Sequence, residues 1–315
     1  MNAQPQKTPV SKLAIPQKHL LSVEALARDD VQTILDLAEY YVVQNRRRSQ
    51  TNALLKGMMM MNMFLENSTR TRLSFEVAAK RLGADVVNMS AEGSSIKKGE
   101  SFVDTLRTLN AMRPDIFILR HGDEQAAQIA AKYVDCPVIN AGTGTREHPT
   151  QALLDALTLR RHFGRLEGLT VTILGDVLHS RVAHSNLHLL KMMGVNVKCV
   201  GPAELMPLSA GGTQNIEDGL KDADAIMVLR IQKERMQTAL PFTDVQYFKT
   251  FGLTAERLAL ANEGAVVMHP GPMNRDVEID AAIADDPKRS LITTQVEMGV
   301  AVRMACLDLL TRSAR

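Results

Sequence analysis

The 315-residue sequence predicts an α/β protein of two similar doubly wound parallel-sheet domains joined by a helix. Three observations predict it. Eight short apolar runs alternate with longer amphipathic stretches. The runs are apolar throughout rather than at every second residue, which suits strands covered on both faces. Four runs precede residue 145 and four follow residue 165, in a chain too long for one ordinary domain.

Residues 1–18 are polar, with prolines at 5, 9 and 16, and are expected to form an arm. A helical pattern runs from Ser22 to about Gln44. The first four strands are expected at 57–65, 84–89, 115–120 and 136–140, with helices near 70–82, 101–112 and 124–133. The stretch 148–163 is the joining helix. Strands at 169–176, 195–200, 223–230 and 264–270 then build the second domain, with helices near 181–193 and 254–262. The last helix, about 296–312, has Val296, Val300, Met304 and Leu307 on one stripe and is expected to pack back on the first domain. Domain boundaries follow: 1–148 with 296–315, and 149–295.

Lys and Arg total 37 against 35 Asp and Glu, a balance that gives no basis for nucleic-acid or membrane-surface binding. Any positive site must be local. Cys136, Cys199 and Cys306 are scattered, without CxxC or Cys/His spacing, so neither a metal site nor a disulfide framework is expected. "MNAQPQKTPVSK" lacks the apolar core of a signal peptide, and the longest apolar run, "GMMMMNMFL", is too short to span a bilayer. A reduced, cytoplasmic protein is expected.

In open parallel sheets, ligands bind beyond the carboxyl ends of the strands. After the first strand come Ser68, Thr69, Arg70, Thr71 and Arg72. A helix start offers unpaired N–H groups, and hydroxyls and guanidinium forks add donors suited to a phosphate. A capped helix with solvated arginines is the plainer alternative. Leu73 and Phe75 look like core residues behind this turn. The second strand is followed by "SAEGSSIKKGES", a polar loop with Lys97 and Lys98. The third ends at Arg120, and the fourth leads into His148, Pro149, Thr150 and Gln151. His148 and Gln151, three apart, share a face of a helix start.

The second half repeats the habit. Arg181 opens a helix after "ILGD", without the GxGxxG of a dinucleotide site. Arg230 and Gln232 end a strand, on one face if the strand period holds. "HPGP", 269–272, makes a stiff turn with unpaired carbonyls. The set suits a ligand bearing phosphate and carboxylates, with chemistry resting on positioning and electrostatics.

"STRTR", "KKGES", "HPTQALLD", "RIQKER" and "HPGP", in this order, resemble the aspartate/ornithine carbamoyltransferases over about residues 20–312. The resemblance implies transfer of the carbamoyl group of carbamoyl phosphate to an amino acid, without cofactor or metal. Ser68, Thr69, Arg70 and Thr71 would bind the phosphate. Arg120 would bridge phosphate and carbonyl oxygen, and His148 and Thr71 would reach that oxygen. Gln151 and the backbone carbonyls of Gly271 and Pro272 would accept from the carbamoyl NH2. Arg181 would hold an α-carboxylate, and Arg230 and Gln232 a side-chain carboxylate. Ser94 and Lys98 match the loop that family members insert into a neighbouring subunit.

Ornithine-using members carry "HCLP" and "SMG", both absent here, and "RIQKER" supplies a cation for a second carboxylate. Aspartate is therefore the expected acceptor, giving carbamoyl aspartate in de novo pyrimidine synthesis. Many members have leucine where Gly271 stands, so a looser turn is expected. The resemblance further implies a homotrimer with shared sites and domain closure over the substrates. The arm with "HPGPMNR" resembles the form that joins dihydroorotase or an inactive homologue in a dodecamer. A nucleotide-dependent oxidoreductase on a doubly wound fold and a non-catalytic subunit or anion-binding protein are the alternatives from other classes.

Overall fold

The computed structural model describes residues 13–47, 53–90, 98–207, 212–236 and 238–312. It divides into two units, 1–143 with 298–315, and 144–297. The expected arm falls largely on residues 1–12, outside the described residues.

The first unit starts with α1 (Arg28–Arg46), which buries Val31, Ile34, Leu35, Ala38, Tyr41 and Val42 at helical spacing. Then β1 (Met59–Phe64), α2 (Thr69–Arg81), β2 (Asp85–Ser90), α3 (Phe102–Ala111), β3 (Ile116–His121), α4 (Ala126–Tyr133) and β4 (Val138–Thr143) alternate. The strands pair in parallel in the order β2-β1-β3-β4. Met61, Met63, Phe117, Leu119 and Val138 meet Leu106, Ala126 and Ala130 in one core. The central strands β1 and β3 are largely buried because helices cover both faces, whereas the edge strand β2 leaves Asp85, Val87 and Asn88 exposed.

The second unit contains α5 (Pro149–Phe163), β5 (Thr170–Leu174), α6 (Arg181–Met192), β6 (Asn196–Val200), α7 (Ile216–Leu220) and β7 (Ala225–Val228). After these come α8 (Asp244–Phe251), α9 (Ala255–Leu258), β8 (Val266–Met268) and α10 (Ala281–Ala284). Its parallel order is β6-β5-β7-β8, the same winding as the first sheet. Leu174, Val200, Ile226, Val228 and Val267 form its core with Leu220, Leu253, Leu258 and Ile279.

Helix α11 (Ile292–Arg312) starts four residues earlier than the sequence pattern placed it. Val296 does not belong to its buried stripe, being 51% exposed, while Met298, Ala301, Val302, Met304 and Ala305 are buried. The helical pattern at 254–262 resolves into the single turn of α9, and the short helices α7, α8 and α10 lie outside the predicted elements. Among the described residues no helix is long and apolar enough to cross a membrane.

Within the first unit α11 ties back through polar groups. The Tyr41 hydroxyl donates to Asp308 Oδ2 at 2.8 Å, and Arg312 grips both Asp308 oxygens at 2.6 Å. Asp308 is fully buried, so Asp308→Ala leaves the buried Tyr41 hydroxyl without this acceptor and takes both carboxylate bonds from Arg312. A loss of about 2–4 kcal/mol is expected. It should appear as a lower urea midpoint at unchanged m-value; an unchanged midpoint would refute this role for Asp308.

Candidate active site

Each sheet reverses its strand order beside its first strand, and the crevice there is where open sheets bind ligands. In the first unit the reversal lies between β1 and β3, which pair Phe64 with Arg120. Ser68 caps α2 in an extended conformation, φ −161°, and its Oγ accepts the Thr71 N–H at 3.4 Å. Only this one hydroxyl caps. Thr69 and Arg70 stand exposed in the first turn, Thr71 is buried, and no acidic residue offsets the positive end of the helix. Arg120 is held beside them: its Nη1 donates to Ala141 O at 3.2 Å and its Nε lies 3.6 Å from Glu66. Lys98 is exposed, and Ser94 lies outside the described residues.

In the second unit the reversal lies between β5 and β7. Gly175 follows β5 at φ +123°, where an added Cβ would stand 2.6 Å from Leu229 O, so only glycine lets the two loops approach. The fully buried Asp176 joins them. Its Oδ1 accepts the His179 N–H at 3.1 Å and its Oδ2 accepts the Gln232 N–H at 3.0 Å. Gln232 Nε2 then donates to His179 O at 3.0 Å, two residues before Arg181, which opens α6 and is 4% exposed. β7 ends at Val228, so Arg230 and Gln232 are placed by this loop network and not by a strand period. Arg230 is occupied: both its terminal nitrogens bond Glu234, one at 3.0 Å. That hydrogen-bonded pairing raises the guanidinium pKa and holds the Glu234 carboxyl below its usual range.

His148, Pro149 and Gln151 begin α5, with His148 at the N-cap position and Pro149 in the first turn. The His148 N–H donates to Ser185 Oγ of α6 at 2.9 Å, and that hydroxyl donates to Glu147 at 2.7 Å. Gln151 is buried and donates Nε2 to Asp155 at 3.0 Å. After β8, the Gly271 N–H donates to His269 Nδ1 at 2.9 Å, which leaves His269 Nε2 to donate to the buried Glu278 at 3.1 Å. Gly271 has φ +68° and precedes a cis proline. The bond from the Gly271 N–H to the His269 ring ties this turn to the end of β8.

Both halves of the chain match one family. Residues 18–161 match "Aspartate/ornithine carbamoyltransferase, carbamoyl-P binding domain" and residues 167–310 match "Aspartate/ornithine carbamoyltransferase, Asp/Orn binding domain". The chain belongs to the aspartate/ornithine carbamoyltransferase family. It is 56% identical to an aspartate carbamoyltransferase catalytic subunit of Rhodospirillum centenum over 307 residues, 96% of each chain. It is 55% identical to one of Granulibacter bethesdensis, over 93% of this chain and 95% of that one. A crystal structure of aspartate transcarbamoylase from Trypanosoma cruzi with N-(phosphonacetyl)-L-aspartic acid superposes with a TM-score of 0.85. It is 34% identical, over 96% of this chain and 97% of that one. Ornithine carbamoyltransferase from Pyrococcus furiosus is 26% identical, with a TM-score of 0.83 over 94% and 97% of the chains.

A carbamoyltransferase needs no enzyme nucleophile, and the cysteines offer none. Burial pushes the Cys136 and Cys306 thiols up to about 12 and Cys199 up to about 11. Among the described residues no cluster of three His, Cys, Asp or Glu side chains could hold a metal ion. Sequence reasoning missed Asp176, Glu234 and Asp155. Asp155 had a signal: a carboxylate inside the apolar run "ALLDAL", four residues after Gln151 and so on its face. Leu73 was misplaced. It is 47% exposed, while Phe75 is fully buried beneath Arg303, 5.0 Å from the ring centre.

Proposed function

We propose that the chain transfers the carbamoyl group of carbamoyl phosphate to the amine of L-aspartate, giving N-carbamoyl-L-aspartate and phosphate, a step of pyrimidine biosynthesis. The observation that carries this is that each unit has a site suited to anions at its own switch point, the two built differently. One is a helix start with exposed hydroxyl and guanidinium donors, suited to a phosphate. The other is a loop pair that places Arg181 and Arg230 at one switch point, suited to two carboxylates. Ornithine brings one carboxylate and an ammonium, which a second guanidinium would repel.

The residues of the first unit, Ser68, Thr69, Arg70, Thr71 and Arg120, serve the phosphate. Arg120, Thr71 and His148 serve the carbonyl oxygen. Gln151 and the Gly271 and Pro272 carbonyls accept from the NH2 group. Arg181, Arg230, Gln232 and Lys98 serve aspartate. The amine lone pair attacks the carbamoyl carbon and the carbonyl oxygen becomes an oxyanion. One donor to such an oxyanion is worth about 3–4 kcal/mol. The oxyanion then re-forms the carbonyl as the C–O bond to phosphate breaks, and the leaving phosphate takes the proton of the amine. No enzyme carboxylate is required as base.

The assay is direct: protein, carbamoyl phosphate and aspartate should yield carbamoyl aspartate and phosphate in equal amounts. Product from ornithine alone, or no product, would overturn the proposal. Lys98 and Ser94 are assigned to the site of a neighbouring subunit, which makes a homotrimer the working unit. Mixing inactive His148→Ala and Lys98→Ala chains, then exchanging subunits, should recover part of the activity through hybrid trimers. Recovery no greater than in either variant alone would refute the sharing.

A further inference from the structure

We propose that Asp155 is a positioning residue: its buried carboxylate turns the Gln151 amide so that Oε1, and not Nε2, meets the carbamoyl NH2. The inference rests on the proposed function and adds a residue that it does not assign.

Asp155 lies on α5, one turn after Gln151, and is fully buried. Burying a carboxylate costs several kcal/mol unless donors surround it. Three neutral amides do so. Gln151 Nε2 and Gln295 Nε2 donate to its Oδ1 at 3.0 and 2.7 Å, and Asn186 Nδ2 donates to its Oδ2 at 2.8 Å.

The consequence is directional. A carboxylate only accepts, whereas a primary amide has a donating end and an accepting end. With one Nε2 hydrogen committed to Asp155, the opposite end of the Gln151 amide is Oε1. The flipped amide would set two acceptors at about 3 Å, a loss of one hydrogen bond and a repulsion in a buried place. The same logic locks Gln295, whose Oε1 accepts the His269 N–H at 2.9 Å. His269 begins the turn that carries Gly271 and Pro272, and its ring accepts the Gly271 N–H. One carboxylate therefore orients Gln151 directly and, through Gln295, steadies the strand end from which the other two acceptors come. All three acceptors are assigned to the same NH2 group.

A purely structural role, clamping α5 to α6 and to the start of α11, would weaken every ligand alike. Acetyl phosphate separates the two cases, because it carries a methyl where carbamoyl phosphate carries NH2. Asp155→Leu keeps most of the side-chain volume but removes the acceptor to which Gln151 and Gln295 both donate, so nothing there turns either amide. On the assembled protein, titration calorimetry should show carbamoyl phosphate bound about 10-fold more weakly by Asp155→Leu, about 1.4 kcal/mol. Acetyl phosphate should change by less than about 2-fold. In a Gln151→Ala background, where only the route through Gln295 remains, adding Asp155→Leu should shift the preference between the two ligands by less than it does in the wild type. Parallel weakening of both ligands, or an undiminished shift in that background, would overturn the role of Asp155.

A second readout needs no Asp155 variant. The side-chain NH2 resonances of Gln151, assigned by their loss in Gln151→Ala, should exchange slowly with solvent in the free protein. Exchange as fast as in a solvated glutamine would overturn the proposal. Wild-type protein without preference for carbamoyl over acetyl phosphate would instead overturn the underlying function, and this inference with it.

Discussion

Arg70→Ala is expected to lower kcat/KM for carbamoyl phosphate by at least about 100-fold, while the fold and Tm stay as they are. The rate effect follows from charge-assisted hydrogen bonds to phosphate, worth about 1.5–3 kcal/mol in a fork geometry and more as charge moves onto the leaving group. The stability effect follows from position. Arg70 is the second residue of α2 and exposed, and the helix start is capped by Ser68 instead. Substitution of an exposed, unpacked side chain typically stays within about 0.5 kcal/mol. Arg70→Lys should recover only part of the rate, since an ammonium cannot bridge two phosphate oxygens as a fork does. Steady-state kinetics beside thermal unfolding decides it: near-normal turnover in folded Arg70→Ala would remove Arg70 from the phosphate site.

Arg230→Gln should raise the KM for aspartate about 100-fold, near the upper end expected for losing a bidentate ion pair. The dissociation constant for carbamoyl phosphate should not move, because Arg230 is assigned to the amino acid alone. The Glu234 carboxylate already occupies Arg230, so the side-chain carboxylate of aspartate exchanges one anion for another. The pair is partly exposed, with Glu234 at 55% side-chain exposure, which keeps the exchange inexpensive. Measuring both constants on one preparation tests the assignment, and a loss of carbamoyl phosphate affinity equal to that for aspartate would refute it.

The architecture was legible because its signals are local. All eight apolar runs became strands, in two sheets of identical order. Ser68, Arg181 and His148 could be placed at helix starts, since polar residues ahead of an apolar period mark such starts. What failed did so for a reason. Leu73 and Val296 are apolar and exposed, and exposure is decided by which face finds a partner, not by residue type. Arg230 and Gln232 lie past the end of β7, where the two-residue period stops and the side chains follow Asp176 and His179. Asp155 sits inside the quoted "HPTQALLD", yet its partners Asn186 and Gln295 are 31 and 140 residues away.

By itself the sequence determined the two wound sheets, the strand ends that carry chemistry, and the kind of ligand those ends can hold. It could do so because apolar periodicity, helix caps and the valence of arginine, hydroxyl and amide groups are properties of short stretches. Only the tertiary structure decided that Arg120 and Arg230 already face Glu66 and Glu234, which end of the Gln151 amide lies away from Asp155, and what keeps the His269 turn in place. Those depend on hydrogen bonds between residues far apart in the chain, and a buried donor or acceptor takes its direction from whatever partner folding brings to it.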